Sequence, residues 1–248
     1  HLSLLQLPQH ATVNGTGPLG KDSIRSLHRL HRQEFVSRER HTLNPRMVSR
    51  LLSNFAAGNE VQPDRIDPEL IPAQSGAMSG FLFRLATTLW SIPVSRGYGR
   101  RMRFLVADRN NGKLIGIFAL MDPVFNLKVR DDWIGWTVRA RERRLASVMD
   151  AYILGAVPPY TQLLGGKLVA SLIGSREVSE AFDERYGNAV GIISGERKRS
   201  RLALVTVTSA LGKSSIYNRL RLPGLAELVR VGQTAGWGHF HVPDDMFR

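Results

Sequence analysis

Arg103-Phe-Leu-Val-Ala-Asp108, Asn110-Asn-Gly112 and Leu114-Ile-Gly-Ile-Phe-Ala-Leu120 decide the fold class. Two apolar runs flank an Asn-Gly pair, which adopts positive φ at low cost, so the stretch predicts a β-hairpin. Working outward, Trp133-Ile-Gly-Trp136 suggests a third strand and Val148–Leu154 a fourth. Leu164, Leu168 and Leu172, then Val178, Phe182 and Tyr186, recur every fourth residue, which predicts one kinked helix or two broken at Gly174-Ser175. Leu202–Thr208 is a near-continuous β-branched run with the look of a central strand. A short helix around Ser214–Leu220 and a strand near Leu228–Val231 complete this half.

The N-terminal side reads differently. The first 20 residues look like an arm or connector. A helix should start near Asp22 or Ser23, and another at Asn44-Pro45, with Asn as cap and Pro at the first helical position. Pro63, Pro68 and Pro72 point to an extended linker over 59–75, followed by a buried helix from Met78 to Leu89. The expected class is α/β (α+β): a mixed sheet flanked by helices, preceded by a basic helical segment. The expected division is an arm over 1–20, helices over 21–92 and an α/β domain over 93–248.

Composition narrows the partners. The 248 residues carry 34 Lys+Arg against 21 Asp+Glu, a formal charge of +13, with 43% hydrophobic residues and no cysteine. A chain this apolar can bury a core, and one without cysteine forms no disulfide, Cys-ligated zinc site or iron–sulfur cluster. No apolar run approaches the roughly 20 residues that span a bilayer. The chain begins His-Leu-Ser, with no charged stretch leading into an apolar one, so the expectation is a shortened, cytoplasmic, non-secreted protein without membrane contact. A polyanion is the first partner to consider.

The basic residues cluster. Residues 21–50 hold eight Arg/Lys against three acids, and Arg25, Arg29 and Arg32 fall along one helical face. Two short helices with a brief connection permit a helix-turn-helix-like reading; a solvated face, or one packed on an acidic partner, is the alternative. In Ser95-Arg-Gly-Tyr-Gly-Arg-Arg-Met-Arg103, the guanidinium groups of Arg96, Arg100, Arg101 and Arg103 suit phosphates. Tyr98 there, like Tyr160 further on, suits stacking on a base. The alternative is a glycine-rich turn entering the first strand. Further basic stretches are Arg139–Arg144, Arg197–Arg201 and Lys213–Arg230, the last including Arg219.

Signals for chemistry are sparse. Gly212-Lys213-Ser214-Ser215 follows a strand, but the P-loop pattern needs glycine where Val207 stands. Lys213 and the helix after it can still hold one phosphate, and Gly165-Gly166-Lys167 repeats that logic, against close helix–sheet packing as the alternative. His239-x-His241 lacks a third ligand, so no metal site is assigned, and no motif demands a cofactor. Glu196-x-Lys198 lies in a basic stretch expected to be a loop, and no G-x-S-x-G turn occurs. Asp131-Asp132 offers two carboxylates to a divalent cation, with ion pairing to Arg130 as the alternative.

Several blocks together carry a resemblance: Trp90–Arg101, Gly112–Gly116, Asp122–Leu127, Arg130–Trp136, Gly155–Tyr160, Leu164–Leu168, Thr208–Arg219 and Gly232–Gly238. In order and content they are similar to the DruA family of the Druantia anti-phage defence system, over about residues 80–247. The resemblance implies anti-phage immunity with further defence subunits, a helicase-type component among them. A looser fold-level resemblance is to acyl-CoA N-acyltransferases. It implies a CoA pyrophosphate turn at Leu164–Lys167, Tyr217 as acid and Asp150 as the one carboxylate placed to be a base. The resulting expectation is a defence subunit on an acyltransferase-like α/β domain, binding DNA or RNA through Arg25, Arg29, Arg32, Arg96, Tyr98, Arg100, Arg101, Arg103, Lys167, Lys213 and Arg219. The alternative is an enzyme, an acyltransferase or a metal-dependent nuclease, with Asp131, Asp132 and Tyr217 as catalytic candidates. Self-association is left open.

Overall fold

A computed structural model describes residues 21–90, 94, 96–188, 195, 200–209, 214, 216, 220–222 and 226–234. The expected hairpin is at its centre. Strands β2 (Arg101–Asp108) and β3 (Lys113–Met121) pair antiparallel, and Gly112 takes φ +70° in the turn between them. Strand β1 (Pro68–Pro72) flanks β2, and β4 (Val148–Ala156) flanks β3, both antiparallel; β5 (Leu204–Val207) then joins β4 in parallel. The order is β1-β2-β3-β4-β5, a mixed five-stranded sheet. A separate two-stranded pair joins β6 (Arg221–Leu222) to β7 (Ala226–Glu227).

Both faces of the sheet are covered, which is why β3 reads as an unbroken apolar run. Phe104, Phe118, Leu120 and Met149 face Val169, Val178 and Phe182 of helices α6 (Gly165–Leu172) and α7 (Arg176–Tyr186), with Ile173 at the end of α6. Leu105, Ile117 and Ile153 face the other way, towards Leu51, Leu82 and Phe83 of helices α2 (Pro45–Leu52) and α3 (Met78–Thr87). The long helix α1 (Lys21–Thr42) is tied to α3 by the Glu39–Arg84 ion pair. Asn44 caps α2 by accepting from Met47 N at 2.9 Å. Ser175 separates α6 from α7 and caps α7, so the two-helix form of that prediction is the one found.

Four expectations are corrected. The stretch 59–75 is not only a linker: Pro68–Pro72 is strand β1, whose prolines tolerate an edge position. This strand pairs with β2, and α2 and α3 share a core with the sheet. Trp133–Trp136 is not a strand. Helix α4 (Lys128–Ile134) covers its start and ends at Gly135, φ +79°, where Trp136 N donates to the Asp131 carbonyl at 2.8 Å. That is the bonding of a glycine helix stop. Helix α5 (Val138–Arg144) follows, with Thr137 as its cap. Strand β5 lies at the sheet edge among the described residues rather than at its centre, and Leu228–Val231 is not a strand. The helix expected at Ser214–Leu220 falls largely outside the described residues.

Candidate functional site

Pairing register brings distant segments to one end of the sheet. There β2, β4 and β5 begin and β3 ends, with Arg101 opposite Met121 and Val148 opposite Leu204. The loop 96–100, the turn 122–127, helix α5 and residues 200–203 therefore gather at this end. Arginines from three basic stretches, some forty to sixty residues apart in the chain, meet there, Arg201 alone representing the third among the described residues. Arg96, Arg101, Arg139, Arg143, Arg144 and Arg201 are exposed, with Glu142 as an exposed acid among them. Among the described residues, Arg139, Arg143 and Arg144 have no ion pair or side-chain hydrogen bond. Arg201 reaches Asp183 only at 3.9 Å.

Beneath these outward cations lies a second set that is paired inside the fold. Arg100 Nε sits 2.6 Å from Asp122 Oδ1, its other nitrogens donate to the carbonyls of Ala146 and Val148, and Phe182 lies 5.3 Å below. This guanidinium clamps the ends of β3 and β4 together, a structural duty that composition did not reveal. Gly97 and Gly99 allow a close approach, but the nearby groups are the protein's own Tyr152 ring and Asp122 carboxylate. Arg130 is 1% exposed and grips Asp131 Oδ1, while Arg141 bonds Asp131 Oδ2 at 3.1 Å. Both oxygens of Asp131 are thereby engaged by arginine. Asp132 is exposed and pairs with Lys128 at 2.7 Å.

Asp150 lies on β4 at the same end, buried, accepting from Thr206 Oγ1 at 2.7 Å. Burial pushes its carboxyl up to about 6, against the pull of the Thr206 bond and the Arg130 charge. Tyr98, 40% exposed, is also raised, by partial burial and then by the charges of Asp150 and Asp122. Strand β4 carries an extra residue at Tyr152, and β5 pairs with β4 only up to Ala151.

The remaining expected residues are dispersed. Arg29 is exposed on α1, and Arg32 there donates to the Thr88 carbonyl at 3.3 Å. Arg103 is half-buried over the Phe83 ring at 5.7 Å. Lys167 is half-buried on α6, whose first turn is packed: a Cβ at Gly165 would collide with the Tyr160 carbonyl, and Gly166 faces Ile216. Close packing thus accounts for Gly165, whereas a Cβ at Gly166 would meet Ile216 only in ordinary contact at 3.4 Å. Tyr160 is fully buried and bonded to Asp108, so it offers no face to a base. The side chain of Arg25, and Lys213, Tyr217, Arg219, Glu196, Lys198, His239 and His241, lie outside the described residues. Among the described residues no group of three or more His, Asp or Glu is placed to hold a metal ion, and no helix is long and apolar enough to cross a membrane.

A protein-family model described as Druantia protein DruA matches residues 18–248. The chain belongs to the DruA family. A curated Druantia protein DruA from Escherichia coli (strain UMEA 4076-1) is 52% identical over 227 residues. That alignment covers 92% of this chain and 56% of the relative, so the chain spans about half the length of that DruA protein. No solved structure matches. Within this DruA-family fold, sequence reasoning missed Asp122 as the partner of Arg100 and Phe125 as an exposed ring in the turn after β3. The signal available for both was the position of Asp122–Leu127 directly after an apolar strand, where loops carry function.

Proposed function

We propose that this DruA-family chain is a nucleic-acid-binding subunit of a bacterial anti-phage defence system, working in the cytoplasm with other subunits, a helicase-type component among them. One observation carries the reading. Arginines from three separate stretches collect, outward-facing, at one end of the sheet, while Asp122 and Asp131 beneath them are engaged by Arg100, Arg130 and Arg141. Pairing the inner acids leaves a surplus of positive charge for phosphates. Exposed Arg29, Arg46 and Arg50 on α1 and α2 add a second basic face. Tyr98 supports stacking by being 40% exposed in the loop that also carries Arg96.

The test is a triple variant, Arg96→Ala, Arg101→Ala and Arg143→Ala, titrated by fluorescence anisotropy against labelled DNA and RNA. Uniform weakening across sequences, with a salt dependence reduced by about one unit per lost contact, supports the reading. Unchanged affinity in a folded variant counts against this surface.

An acyl-transfer reading has one observation in its favour: a buried carboxyl on β4, Asp150, held near 6 and therefore poised as a base. Gly165, packed against the Tyr160 carbonyl, leaves less room for a pyrophosphate at this turn. Calorimetry with acetyl-CoA separates the two, since a nucleic-acid-binding subunit gives no heat.

A further inference from the structure

The ring of Phe125 is 54% exposed, yet the turn that carries it is held from within. Buried Arg130 donates to the carbonyls of Val124 and Phe125, at 2.7 and 3.2 Å. Arg141 lies over one face of the ring, 4.7 Å from its centroid, and is fixed by Asn126 and Asp131, each at 3.1 Å. Burying charge is expensive, and what this network holds in place is a solvent-facing aromatic side chain. One ring face is thus covered by a guanidinium and the ring remains half open to solvent. On α5, Val138 and Arg144 stand three residues either side of Arg141, on its own helical face, and both are exposed.

We propose that Phe125 is a stacking platform for an unpaired base, so that this end of the sheet takes single-stranded nucleic acid. The inference rests on the nucleic-acid reading above and narrows it to one form of nucleic acid. A base laid on the open part of the ring continues an arginine–phenylalanine–base stack, and its phosphate falls on the side where Arg144 has no partner of its own among the described residues. A duplex keeps its bases stacked on one another and offers this ring nothing, whereas a single strand exposes a π-face at every nucleotide. Val138, one turn before Arg141 on α5, offers exposed apolar area, and the fixed turn removes the ordering cost of a mobile loop.

The experiment compares a labelled oligothymidine of about 20 nucleotides with a labelled duplex of similar length, by anisotropy at low salt. Phe125→Ala should weaken single-strand binding about tenfold, leave duplex binding within about twofold and keep the salt slope unchanged. Phe125→Trp should restore binding. Phe125→Leu, which keeps apolar bulk without a π-face, should behave as the alanine variant does; circular dichroism shows whether each is folded. Arg144→Ala should instead reduce the single-strand salt slope by about 0.7. Wild-type affinity for the single strand in folded Phe125→Ala or Phe125→Leu overturns the platform while leaving the nucleic-acid reading intact, as does equal loss on both ligands. Failure of the unmutated protein to bind either ligand overturns both.

Discussion

Arg130 holds the carboxylate of its own neighbour Asp131, with Nε at 2.8 Å and a terminal nitrogen at 2.6 Å from the same oxygen. The pair is buried, and Arg141 completes it from α5. Removing the shared carboxylate strands two cations in a dry environment. Asp131→Asn should therefore cost about 3–5 kcal/mol of stability, read as a lower denaturant midpoint at constant slope. Asp132→Asn, which breaks only an exposed pair with Lys128, should leave the midpoint in place. A metal-dependent nuclease would instead need both carboxylates for activity and neither for folding.

Asp150 predicts a pH dependence. Its folded value, about 6, lies above its ordinary 3.8 because burial disfavours the charged form. Between these values the native state holds a proton that the unfolded chain has released, so stability falls as pH rises. The wild type should lose about 2 kcal/mol relative to Asp150→Asn between pH 4 and pH 7, measured by urea unfolding. A constant difference across that range contradicts the assignment.

Tyr160 donates to Asp108 Oδ2 at 2.8 Å and accepts from Asn111 at 2.9 Å, while Asp108 Oδ1 receives the backbone amides of Asp67 and Asn110. This knot joins the hairpin turn to the entry of β1. Burial, above all, pushes the phenol up to about 12, so it remains a donor at neutral pH. Tyr160→Phe leaves a buried carboxylate oxygen short of a partner and should lower stability by about 1–3 kcal/mol, checked by the same unfolding curves.

These cases show what the sequence made legible. The hairpin was readable because Asn110-Asn-Gly112 names its turn, and α2 because Asn44-Pro45 names its start. Local chemistry decided both. Trp133–Trp136 misled because four residues cannot separate a strand from the end of a helix, and Gly135 only reveals its role once Trp136 bonds back to Asp131. β1 was hidden by prolines that an edge strand tolerates. The basic clusters were visible individually, but their meeting at one end depends on strand register. Composition equally could not separate Arg100, clamped by Asp122, from Arg101, exposed one residue later.

That adjacent pair supplies another test. Arg100→Ala breaks an ion pair and two carbonyl contacts and should lower stability by about 2 kcal/mol. Arg101→Ala should leave the unfolding curve nearly unchanged, because Tyr186 bonds its backbone and its side chain makes only a long, exposed 3.5 Å bond to the Arg96 carbonyl, and should weaken nucleic-acid binding instead. Thermal unfolding and anisotropy on the two single variants separate these outcomes.

Phosphate neutralisation by the outward arginines is tested most directly by the salt dependence of affinity. With about four arginines on the phosphates of a single strand, the logarithm of the binding constant should fall against the logarithm of salt with a slope of about −3. A slope near zero, or no binding at low salt by the folded, unmutated chain, would contradict it.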